Sequence, residues 1–93
     1  MQTKTAAKTT AKHLARRTFA IRVALSEKSN RTTSADYFER LADYAELLCE
    51  RVEECAAIAP AGTKKALADA RAVAAAARRD ADYAREQQDR YAY

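Results

Sequence analysis

At 93 residues the chain has room for one small domain. A single Gly and a single Pro leave almost nothing to punctuate a β fold, whereas 24 Ala residues favour helix. One His and two Cys, with a net charge of only +4, supply neither a metal-ligand set nor a nucleophile–base pair.

The large apolar residues number only thirteen, as six Leu, two Ile, three Val and two Phe. Ala stabilises helices but yields far less than Leu or Phe on burial, so the core is lean and a partner or self-association would relieve it. The mild net charge hides a partition. Residues 1–33 hold eight basic side chains and one acid, residues 34–60 hold two basic and seven acidic, and residues 61–93 hold seven basic and five acidic.

Met1 to Thr9 lacks a large apolar anchor and reads as a frayed basic N-terminus of a single helical domain spanning residues 1–93. The first helix is expected from about Thr10 to Lys28, on a stripe of Ala11, Leu14, Thr18, Ile21 and Leu25. Phe19, Ile21, Val23 and Leu25 also alternate as a strand would, but no other segment offers a partner strand. The acid-free start shares its composition with organellar transit peptides, yet Leu14 to Leu25 is needed for the core. Lys4, Lys8, Lys12 and Arg16 step by four along the helix, and Lys8, Lys12, Arg16 and Arg17 are the candidate contacts to nucleic acid.

Residues 29–34 are polar and poor in helix formers, hence a loop, with Thr33 or Ser34 as the cap of the second helix. That helix is expected to run to about Ala59. Its seam is Phe38, Leu41, Ala45, Leu48, Val52, Cys55 and Ala59, in alternating steps of three and four. Glu39, Asp43, Glu46, Glu50 and Glu53 form an acidic ridge opposite that seam. The ridge is either a docking face for a basic partner or a solvated face neutralised by the chain's own basic segments. A second line, Tyr37, Arg40, Tyr44, Leu47, Arg51 and Ile58, combines the residue types enriched at binding hot spots. Cys49 and Cys55 stand about 9 Å apart along one helix, too far for a disulfide, and read as reduced core thiols of a cytoplasmic protein.

Pro60 and Gly62 stop the second helix, and Thr63 is placed to cap the third, from about Lys64 to Arg90. Its seam, Leu67, Ala70, Ala74, Ala77, Ala81, Ala84, Gln88 and Tyr91, is small enough for close helix approach. The short connection makes the second and third helices antiparallel neighbours. Together these features imply an all-α, three-helix up-down-up bundle. Tyr91 is expected in the core and Tyr93 at a loose end.

No apolar run reaches membrane-span length, and a single Gly excludes a Gly-rich phosphate loop. The chain therefore reads as a non-enzymatic binding module without a cofactor, acting through protein–protein contacts. An inhibitor or antagonist of a nucleic-acid-handling complex, of the phage or plasmid type, fits its size. The contact residues would be Tyr37, Arg40, Tyr44, Leu47 and Arg51 with Glu39, Asp43, Glu46 and Glu50, and the partner would carry a basic surface. The alternatives are nucleic-acid association through the basic first third and a structural homo-oligomer such as a dimer.

Overall fold

A computed structural model describes residues 3–28 and 33–91. It is a three-helix up-down-up bundle of α1 (Lys4–Glu27), α2 (Ala35–Ile58) and α3 (Lys64–Tyr91), measuring 54 × 20 × 16 Å. A single 3₁₀ turn, Pro60–Gly62, joins α2 to α3. The loop expected at 29–34 lies largely outside the described residues, as does Tyr93.

The first helix begins at Lys4, six residues before the expected start. Two things secure the extra turns. Thr3 accepts the Ala6 N–H on its Oγ1 at 3.1 Å, an N-cap that quenches one of the helix's free donors. Ala7 is then fully buried and Ala11 nearly so, giving the early turns a small apolar face in place of the missing large anchors. Thr18 sits in this stripe without penalty because its hydroxyl donates to the Leu14 carbonyl at 2.9 Å.

The second helix is capped by Ser34, whose Oγ accepts the Asp36 N–H at 3.2 Å, while Asp36 itself favours the positive helix start. Phe38, Leu48 and Val52 are its fully enclosed large side chains, with Ala42, Ala45 and Cys55 filling the spaces between. Leu41, expected in the seam, is only half-buried at its margin. Tyr37 packs edge-on to Phe38, with ring centroids 5.7 Å apart and planes at 83°.

At the α2–α3 connection Pro60 takes the first position of the 3₁₀ turn, where its lack of an N–H costs nothing. Gly62 has no left-handed backbone conformation. Its smallness serves a close approach instead: a Cβ there would stand 2.5 Å from Lys8 Cε, so the Lys8 stem lies over the turn. Thr63, expected to cap α3 with its hydroxyl, is buried and donates that hydroxyl to the Ala59 carbonyl at 2.8 Å.

Along α3 the buried positions are Ala70, Val73, Ala74, Ala77, Ala81 and Ala84. The expected seam ends there. Gln88 is exposed and Tyr91 is 75% exposed, because α3 has 28 residues against 24 in α2 and its last turn outruns the partner helix. Tyr91 is therefore not a core residue.

Candidate functional site

The acidic ridge does not stand free. Asp36, Glu39, Asp43 and Glu46 are on the flank of α2 next to α3, and two arginines of α3 reach across to them. Arg85 donates its Nε to Glu39 Oε1 and its Nη2 to Asp36 Oδ1, both at 2.6 Å. One heptad earlier on α3, Arg78 donates Nε to Glu46 Oε2 at 3.0 Å and Nη2 to Glu46 Oε1 at 2.6 Å. The same Nη2 meets Asp43 Oδ1 at 2.7 Å.

These contacts repeat every seven residues on both helices, in opposite directions, as an antiparallel pair demands. The Arg78 fork holds the Glu46 carboxyl below the usual carboxylate range, outweighing partial desolvation and the neighbouring Asp43 charge. The paired carboxylates in turn push both guanidinium groups further towards their charged form. A third rung, Glu50 and Glu53 with Arg71, has the right spacing but is not closed as an ion pair. Glu53 instead accepts a hydrogen bond from the Cys49 thiol at 3.4 Å. Of the five ridge residues, Glu39, Asp43 and Glu46 thus belong to the α2–α3 clamp, and Glu50 is exposed with no ion pair among the described residues.

The second line on α2 has a different fate. Tyr37 is drawn half into the core, and Ile58 is half-buried at the helix end. Arg40, Tyr44, Leu47 and Arg51 stay exposed, in steps of four, three and four. Tyr44 is 38% and Leu47 44% exposed, so the bundle covers only part of each large side chain. Among the described residues, neither arginine of this line forms an ion pair.

On α1 six basic side chains, Lys4, Lys8, Lys12, Arg16, Arg17 and Arg22, face a single acid, Glu27. All six are exposed, and among the described residues none is ion-paired; four of the seven acids of α2 are answered from α3 instead. Phe19 lies among them, 62% exposed. Beside it runs a groove of about 580 Å³ between α1 and α3, lined by the apolar Ala15, Ala72, Val73 and Ala76 and by the charged Arg22, Asp69 and Asp80.

Both cysteines are buried, free thiols. Burial pushes each thiol up from its ordinary value, and the carboxylates of Glu53 near Cys49 and Glu54 near Cys55 push the same way. Such thiols are poor nucleophiles. Among the described residues, no group of three or more His, Cys, Asp or Glu could hold a metal ion, and no helix is long and apolar enough to cross a membrane.

No family model, curated protein or solved structure matches the chain.

Proposed function

We propose that the protein is a non-enzymatic binding module that occupies a surface on another protein through the outer line of α2, in the manner of a small inhibitor or antagonist. The observation that carries this reading is the exposure of Tyr44 and Leu47 between two unpaired arginines. In a core this lean, leaving a Leu and a Tyr partly uncovered forgoes burial the fold needs, which makes sense when a partner covers them. Tyr and Arg are also the side chains that most often dominate an interface.

The expected basic partner rested on the acidic ridge, of which Glu50 remains unpaired beside Arg51. Arg40 and Arg51 suit an apolar partner surface edged with acidic groups. Reduced thiols fit a reducing, cytoplasmic compartment.

A test is to measure affinity for the protein recovered with this chain from its host. Tyr44→Ala and Leu47→Ala should each cost more than about 1 kcal/mol of binding without unfolding the bundle. Unchanged affinity in both variants would refute the reading.

A second reading, nucleic-acid association, is favoured by the six exposed, unpaired cations of α1. It predicts binding that weakens steeply with salt.

A further inference from the structure

At about 100° per residue Lys4, Lys8, Lys12, Arg16 and Arg22 share with the exposed Phe19 one side of α1, beside the α1–α3 groove. Arg78 and Arg85 of α3 already occupy four of the α2 acids that could have neutralised them. We infer that this surface is a binding site for single-stranded nucleic acid, with phosphates along Lys4, Lys8, Lys12 and Arg16 and a base stacked on Phe19 at the mouth of the groove. The inference rests on the second reading above and adds to it the strandedness of the ligand and the residue that holds a base.

Lys4, Lys8, Lys12 and Arg16 recur every fourth residue, each step climbing about 6 Å along the helix. The side chains drift slowly around α1 as they climb and so follow one strand. Phe19 comes next along this row, with Arg22 a turn further on at the groove. A basic track that ends in an exposed ring is the combination by which proteins hold single strands, since every base offers a face to stack.

The groove lining points to a base there and not a phosphate. Asp69 is already paired with Lys65 at 3.3 Å, but Asp80 repels a phosphate, and its carboxylate can accept from an exocyclic amine. Ala72, Val73 and Ala76 in its lining are apolar, as the face of a base is. Asp80 also disfavours a duplex, whose second strand would bring phosphates against α3. An anionic membrane is a weaker fit, because the apolar face of α1 is buried in the bundle and Phe19 alone is left to insert.

The experiment is fluorescence anisotropy of the full chain with a labelled oligodeoxycytidylate of about twelve nucleotides and a duplex of equal length, at about 50 mM salt and upwards. The single strand should bind more tightly than the duplex. The slope of log affinity on log salt should be about −3, for four phosphates at about −0.7 each. Lys8→Gln, Lys12→Gln and Arg16→Gln together should flatten it by about 2.

Phe19→Ala should leave that slope unchanged while lowering affinity about five- to a hundredfold. All these side chains are exposed, so circular dichroism should report an intact bundle for every variant. Loss of affinity in the charge variant but not in Phe19→Ala would overturn the base-stacking site and leave the second reading standing. Equal binding of duplex and single strand would also overturn the inference. No binding of either would overturn the inference and the second reading together.

Discussion

Arg78 and Glu46 meet in a two-point fork across the α2–α3 seam, Nε to Oε2 at 3.0 Å and Nη2 to Oε1 at 2.6 Å, with Asp43 held by the same guanidinium. The fork turns what reads as a docking ridge into an internal clamp. It stands over a seam of small residues, Ala74, Ala77 and Ala81, that contributes little burial energy by itself.

Arg78→Ala should lower stability by about 1 kcal/mol at neutral pH, as expected for a bidentate pair still partly open to water. The difference should shrink in high salt. It should also depend on pH with a fixed sign. The folded Glu46 carboxyl titrates below its unfolded value, so its stabilisation is present above about pH 4 and fades as pH falls through the lower folded value. Denaturant titrations of both proteins from neutral to acid should converge.

Ala77→Leu places three extra carbons at a fully buried position of the seam. A cost of about 1–3 kcal/mol is expected, with a lower melting midpoint. An unchanged midpoint would contradict the close approach of α2 and α3.

Cys49 and Cys55 should react slowly with an alkylating reagent in the native protein and fast in denaturant, where both should titrate without a reductant. Both thiols are raised above the ordinary value of 9.0 by burial first. The folded state therefore holds these protons longer than the unfolded chain. Their contribution to stability is full below the unfolded thiol value and is lost as pH rises beyond it, so stability should decline above about pH 9.

Gly62→Ala tests how the start of α1 meets the connecting turn. No positive φ opposes Ala there, and the restricted unfolded chain would add about 0.4–1 kcal/mol of stability. The new Cβ would however displace the Lys8 stem. The gain should be larger in a Lys8→Ala background, and a double-mutant cycle by chemical denaturation would read the difference.

The three helices were legible in the sequence because Ala richness, helical periodicity and the Pro60 to Gly62 break all agree. What misled was reading each helix alone. The early turns of α1 carry no Leu or Phe, so Ala7 gave no signal until its neighbours were in place. Tyr91 keeps the heptad rhythm of α3 but has run past the end of α2. The ridge was legible as a row of charge that the chain's own basic segments could neutralise, but the α3 arginines that clamp it were not picked out, although a signal was there. Asp36 with Glu39 and Asp43 with Glu46 repeat after seven residues, and so do Arg78 and Arg85. Matching the two repeats in antiparallel order would have paired them. Tyr44 and Leu47 lie on the outer line of α2 that the sequence places away from the seam, and both are part-exposed there. The groove beside Phe19 depends on how far α1 and α3 stand apart, which no single helix encodes.

The most direct test of the account is site-specific photo-crosslinking in the native host, with the photoreactive residue at position 47 and, for comparison, at the exposed position 75 of α3. The account predicts one dominant protein adduct from position 47, lost when Tyr44→Ala is added, and none from position 75. The same adduct from both positions, or none from position 47, would contradict it.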